Sequence, residues 1–103
     1  MAKSKQANIS SSDMVVVSQE LVSADLEKEA VILNLKDGVY YGLDQVGARI
    51  WHLLQEPKSV SQLIDILLDE YEVERLTLIK DLMGLLQEMA ARGLIEVRSG
   101  AGS

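Results

Sequence analysis

The sequence predicts an α+β domain in which a three-stranded antiparallel sheet precedes three α-helices, and three observations carry that expectation. Two aliphatic runs, Met14-Val15-Val16-Val17 and Ala30-Val31-Ile32-Leu33-Asn34-Leu35, are followed by Asp37-Gly38 and a third run, Val39-Tyr40-Tyr41-Gly42-Leu43. From Asp44 onward, apolar residues recur at the i, i+3, i+4, i+7 spacing of amphipathic helices. Pro57 and Gly93 punctuate that helical half.

Met14–Val17 is predicted as the first strand, and the polar segment from Ser23 to Glu29 as a connection. The second and third strands flank Asp-Gly, a strong hairpin signal because both residues tolerate positive φ in a tight turn. A two-residue turn puts Val31, Leu33, Leu35 and Tyr40 on one face and Ile32, Asn34, Val39, Tyr41 and Leu43 on the other. Both faces are partly apolar, so the pattern leaves open which meets the core, and a longer turn changes the pairing. The result is a meander whose third strand is an exposed edge.

Asp44 caps the first helix, with Val46, Ile50, Leu53 and Leu54 on one stripe and Leu43 placed to staple its start. Pro57 disfavours helical geometry at Glu56 and ends it. Ser59 and Gln62 form a capping box for a second helix whose apolar residues are Val60, Leu63, Ile64, Leu67, Leu68 and Tyr71. The third helix starts near Glu72 to Glu74, acids suited to a helix N-terminus, and runs to about Arg92. Gly93 supplies a left-handed cap with Leu94 folding back on Met89, and Ile95-Glu96-Val97 extends into a short terminal strand. This order of elements is of the winged-helix type. The domain is expected over residues 14–98, with polar tails at 1–13 and 99–103.

Composition narrows the function. The chain has 103 residues, 48% of them hydrophobic, enough for one domain with its own core. With no cysteine and one histidine, His52, it has neither thiolate chemistry nor a multi-histidine metal centre, and no metal or cofactor is expected. The serines lie mostly in the tails or at a helix cap, no serine-based catalytic motif is present and no glycine-rich phosphate loop occurs, so no catalytic residue is assigned and the chain reads as a non-enzyme. Asp65 and Asp69 share a helix face, which reads as solvated surface in the absence of loop oxygen ligands. The net charge of −6, from 16 acidic and 10 basic side chains, disfavours phosphate backbones, and no basic face is segregated. The second helix, where a winged-helix DNA reader would place its contacts, carries acids and no base. No apolar stretch is long enough for a secretion signal or a membrane span, so a cytoplasmic protein with no membrane partner is expected.

The third helix is more apolar than one core stripe requires. Leu78, Leu82, Leu85, Leu86 and Met89 seat it, while Leu76, Ile79 and Met83 widen the surface, which either meets the chain's own sheet or waits for a partner. Gly84 within it either permits a close backbone approach or relieves crowding.

The run Asp37-Gly38-Val39-Tyr40-Tyr41-Gly42-Leu43-Asp44 followed by Val46-Gly47-Ala48-Arg49-Ile50-Trp51 resembles the central signature of the PqqD-like family, which includes recognition elements for ribosomally made, modified peptides. Pro57 to Leu63, Tyr71-Glu72-Val73, Lys80-Asp81-Leu82, Leu85-Leu86, Met89 and Arg92-Gly93-Leu94-Ile95 agree in order, so the resemblance covers about residues 13–97. Within the family, the wording looks most like the stand-alone recognition proteins of lasso-peptide pathways. That resemblance implies a protein binding the leader of a precursor peptide as an antiparallel strand on its third strand, Val39, Tyr40, Tyr41 and Gly42. It further implies a facing surface on the third helix of Arg75, Ile79, Leu82, Met83 and Leu86. The implied partners are a cysteine-protease-type leader peptidase and a cyclase, with the protein a monomer or weak homodimer. The edge lacks blocking proline or inward charge, which suits a strand that is to be paired, by a peptide, by the N-terminal tail or by a second copy. The competing readings are a carrier in another modified-peptide pathway, such as that of pyrroloquinoline quinone with a radical enzyme, and a winged-helix DNA-binding regulator.

Overall fold

A computed structural model describes residues 9–99, so of the tails expected at 1–13 and 99–103 the parts 1–8 and 100–103 lie outside the described residues. The fold is α+β, as expected: β1 (Met14–Val17), β2 (Leu21–Leu26), β3 (Glu29–Asn34), β4 (Tyr40–Leu43), α1 (Gln45–Leu53), β5 (Lys58–Ser59), α2 (Val60–Glu70), α3 (Arg75–Ala91) and β6 (Ile95–Arg98). The strands form two antiparallel three-stranded sheets, ordered β5-β1-β6 and β2-β3-β4.

The meander is present, but its first strand is β2 rather than Met14–Val17. Five of the six residues of β2 are exposed, and its apolar members Val22, Ala24 and Leu26 alternate toward solvent. The segment therefore reads as polar in sequence, and its ladder to β3 holds it in place. The Met14–Val17 run pairs instead with the two late strands, Val15 facing Lys58 on one side and Val97 on the other.

The turn after β3 is longer than the two residues expected. Asn34 N–H donates to the Val39 carbonyl at 2.9 Å and Gly38 N–H to the Asn34 carbonyl at 2.8 Å, closing a loop over Leu35 to Gly38. Gly38 takes φ +73° while Asp37 does not enter the left-handed region; its Oδ1 accepts from Val39 N–H at 3.0 Å. This lengthening moves the register by two residues, with Ile32 opposite Tyr41 and Leu33 opposite Tyr40. A shift of two leaves each side chain on the face expected for it, because the strand period is two. Ala30, Ile32 and Asn34 point inward, and Asn34 Oδ1 accepts from Lys36 N–H at 2.9 Å, so the buried amide is not left unpaired.

The helices begin and end where local chemistry dictates. Asp44 Oδ1 accepts from Gly47 N–H at 2.9 Å and caps α1. Both halves of the Ser59/Gln62 capping box are made, at 3.0 and 2.8 Å. The remaining free N–H groups of that terminus, Val60 and Ser61, donate to the Asp13 and Ser11 carbonyls at 3.0 and 2.9 Å. Residues 10–13, counted with the tail in the sequence reading, thus form a turn docked on α2. At the far end of α3, Gly93 takes φ +75°, and Leu94 N–H donates to the Met89 carbonyl at 2.9 Å, the Schellman closure expected there.

The core lies between the sheets and helices: Val15, Ile32, Ile50, Trp51, Leu54, Val60, Leu63, Leu67, Leu82, Leu86, Met89, Leu94 and Ile95 are all essentially inaccessible. Each such aliphatic side chain contributes about 1.5–3 kcal/mol by leaving water. α1 packs on β3 and β4, and α3 on α2 and β6. That arrangement leaves the free edge of β4 beside the C-terminal half of α3.

Candidate binding groove

β4 is the last strand of its sheet, so one of its edges is unpaired among the described residues. The Val39 carbonyl faces Asn34, and alternation along an antiparallel ladder then turns Tyr41 and Leu43 toward β3. The backbone N–H and C=O groups of Tyr40 and Gly42 are left on the open edge. Gly42 carries no side chain over that edge, and a Cβ added there meets nothing within 4 Å.

Between this edge and α3 runs a groove of about 450 Å³. One wall is Tyr40, Tyr41, Gly42, Leu43 and Asp44, and the other is Leu85, Glu88, Met89 and Arg92, with Leu94 beneath. Leu85, Glu88 and Met89 of α3 and Arg92 at its C-cap follow the i, i+3, i+4, i+7 rule, which puts them on one face of the helix. The groove is amphipathic: Met89 and Leu94 are buried at its base, while the Arg92 guanidinium lies 5.5 Å from the Tyr41 ring centroid and donates to Glu88 at 3.1 Å.

Of the residues the sequence reading assigned to binding, Tyr40, Tyr41 and Gly42 line this groove and Val39 stands exposed just before β4. The α3 residues sit elsewhere. Leu82 and Leu86 are core side chains at 2% and 0% exposure, Ile79 and Met83 are half-buried against the core, and Arg75 is exposed at the start of the helix. The residues on the helix side that face β4 are Leu85, Glu88, Met89 and Arg92; the sequence reading put Leu85 and Met89 on the core stripe, gave Glu88 no role and took Arg92 as the end of the helix.

A second, smaller cavity of about 180 Å³ opens on the other side of Leu85, which lines both. It is walled by Ile50, Leu67, Tyr71, Leu78 and Leu82, with Val46 and Val73 at its mouth and Thr77 and Asp81 beside them. Val46, expected on a core stripe, is 46% exposed there.

Outside the groove, two side-chain contacts fasten α1. Arg49 holds Glu70 at the end of α2 through Nε and Nη2, with Nε lying 2.9 Å from Oε1. The Arg49 hydrogen bonds hold the Glu70 carboxyl below the usual carboxylate range, and the same contact raises Arg49. His52 Nε2 lies 2.6 Å from Asp25 Oδ1 of β2, which gives the histidine a structural setting. Among the described residues no group of three His, Cys, Asp or Glu is arranged to hold a metal ion, and no helix is long and apolar enough to cross a membrane. The exposed face of α2 carries Asp65, Asp69 and Glu70 and no base, a poor match for a nucleic-acid backbone.

Comparison with known proteins agrees with this geometry. No curated protein matches the chain. The chain is similar to a solved structure of TbiB1 in complex with the TbiA(beta) leader peptide, with 42% identity and a TM-score of 0.75 over 79% of this chain and 94% of that one. The family model for coenzyme PQQ synthesis protein D (PqqD) matches residues 29–95, which include β3, β4, all three helices and the groove. The resemblance first seen in the Asp37–Trp51 signature therefore holds across the structured chain, which belongs to the PqqD family.

Proposed function

We propose that this protein binds the leader segment of a ribosomally synthesised precursor peptide, which adds as an antiparallel strand to the open edge of β4. The observation that carries the reading is that unpaired edge set beside an amphipathic groove, in a chain 42% identical to one solved with a leader peptide bound. Backbone bonds to Tyr40 and Gly42 supply affinity for any extended chain, and side chains projecting into the groove against Leu85, Met89 and Arg92 supply selectivity.

The pathway is that of a lasso peptide, and the protein acts in the cytoplasm as an adaptor without chemistry of its own. It presents the precursor to a separate cysteine-protease-type leader peptidase and to the cyclase. Support for the adaptor role is the low chemical content of the groove, whose charged members are Asp44, which caps α1, and Glu88 and Arg92, which are paired with each other.

Titration of the protein into fluorescein-labelled TbiA(beta) leader peptide, read by anisotropy, tests the reading. Saturable binding is expected, and N-methylation of the peptide bonds facing Tyr40 and Gly42 should abolish it. Absence of saturable binding by the folded protein overturns the reading, as does affinity indifferent to N-methylation throughout the peptide.

A further inference from the structure

We propose that the outward face of the β2-β3-β4 sheet is a self-association surface, on which a second copy of this chain seats face to face about a two-fold axis running across the strands. The proposal goes beyond peptide binding and does not rest on it. Stacking covers a face of the sheet and leaves the edge of β4 and the groove open.

Only one face of this sheet is finished within the chain. Ala30, Ile32 and Asn34 turn inward, where α1 packs on β3 and β4. Residues opposite one another on a ladder share a face, so two cross-strand rows turn outward: Val22-Leu33-Tyr40 and Ala24-Val31-Gly42. Leu26 continues the patch along β2. No charge interrupts the two rows, although an antiparallel sheet that faces water ordinarily alternates polar residues on that side. Val22, Leu26 and Tyr40 are 51%, 50% and 68% exposed. One such side chain in water is ordinary, but a patch continuous across three strands marks a surface that is buried against protein.

A second copy fits the shape. Aligned sheets pack about 10 Å apart with their side chains interdigitating. A two-fold axis across the strands, midway between the rows, lays the bulky row of each copy over the small row of the other. Leu33 then meets Val31 of the second copy, Val22 meets Ala24, and the Tyr40 ring meets Gly42, where the missing Cβ leaves open space. An axis along the strands sets bulky row on bulky row and packs worse.

Charge agrees with the same axis. It lays the Glu27-Lys28-Glu29 end of one sheet over the Glu20, Lys36 and Asp37 end of the other. Lys36 thereby approaches Glu29, and Lys28 approaches Glu20, each contact occurring twice as in any isologous interface. Among the described residues none of these side chains has an ion pair within the chain. The net charge of −6 on each copy opposes association. The patch also holds fewer residues than the roughly 20–30 a side of a standard interface. The dimer is therefore weak, with a Kd between about 1 µM and 1 mM.

Sedimentation equilibrium of the intact protein across that concentration range tests the proposal. A monomer–dimer equilibrium is expected, weakened at least about tenfold in Val22→Lys. Val22 lies outside the groove and is half exposed, and an unchanged urea midpoint at a concentration where wild type is monomeric will show the fold intact. Lys36→Glu and Glu29→Lys should each weaken the dimer, and an equimolar mixture of the two should restore it, because the mixed pair regains both contacts. A monomer up to about 1 mM overturns the proposal, as does wild-type association of Val22→Lys. A mixture no tighter than its components refutes this axis. A dimer dissolved by saturating TbiA(beta) leader peptide is joined edge to edge through β4 and overturns the proposal, while leaving peptide binding standing. Failure of the peptide to bind touches only the functional reading.

Discussion

The Arg92 guanidinium rests over the Tyr41 ring, 5.5 Å from its centroid, and so links the end of α3 to the edge strand. Glu88, one turn earlier, holds the same guanidinium at 3.1 Å and fixes its plane. Arg92→Ala removes both contacts and should lower stability by about 0.5–1 kcal/mol, the range for an exposed cation–π pair. Arg92→Lys keeps the charge but not the planar fork, and should recover less than half of that in urea denaturation. Full recovery by lysine would show that charge alone is at work.

The glycines of β4 and its preceding turn should respond in opposite ways. Gly38 sits at φ +73°, so Gly38→Val should destabilise the domain by about 1–2 kcal/mol or more, because a β-branched residue resists the left-handed region. Gly42 has φ outside that region and open space around its missing Cβ, so Gly42→Ala should change stability by less than about 0.5 kcal/mol. Thermal melting of the two variants decides this, and equal melting temperatures would refute the assigned turn.

Two α3 positions separate core from groove. Leu86 is fully buried, so Leu86→Ala should lose about 2–5 kcal/mol to transfer and cavity terms. Met83 is half-buried against the core and does not line the groove, so Met83→Glu should cost about 1–3 kcal/mol of stability while leaving the folded fraction's peptide affinity unchanged. A loss of affinity without loss of stability in Met83→Glu would return this residue to the binding surface.

The Arg49–Glu70 pair gives a pH-dependent prediction. Glu70 is held below its ordinary value of 4.5 by the Arg49 hydrogen bonds, so folding favours its ionised form. Its contribution is present above pH 4.5 and is lost as pH falls through the depressed folded value. Both partners are about a third or more exposed, which limits the contribution to about 1 kcal/mol or less. The melting difference between wild type and Glu70→Gln should be small at pH 7 and vanish near pH 3. A gap that widens on acidification would contradict the assignment.

What was legible in the sequence was local. The Ser59/Gln62 box, the Asp44 cap and the Gly93 stop each depend on groups within five residues, and each appears where its residues put it. Strand partnership was less legible because it is set at a distance: Val15 meets Val97 across nearly the whole chain, and nothing within Met14–Val17 distinguishes that partner from β3. β2 escaped notice since its apolar residues face outward, where alternation with Ser23 and Asp25 imitates a polar connection. The β4 half of the groove could be read from an edge without blocking residues. Its α3 half could not, because helical periodicity gives the angle between side chains but not the direction in which the sheet lies.

The pairing of β1 with β6 places Met14 directly opposite Arg98, so the polypeptide enters and leaves the domain side by side. A unit with neighbouring entry and exit can be spliced into a host chain, or reconnected end to end and reopened at another surface loop, with little disturbance to its interior. The Leu35–Gly38 loop, outside both cavities, is such a reopening point. The same geometry makes the domain a portable cassette, able to stand free or to sit as an insert within a larger chain.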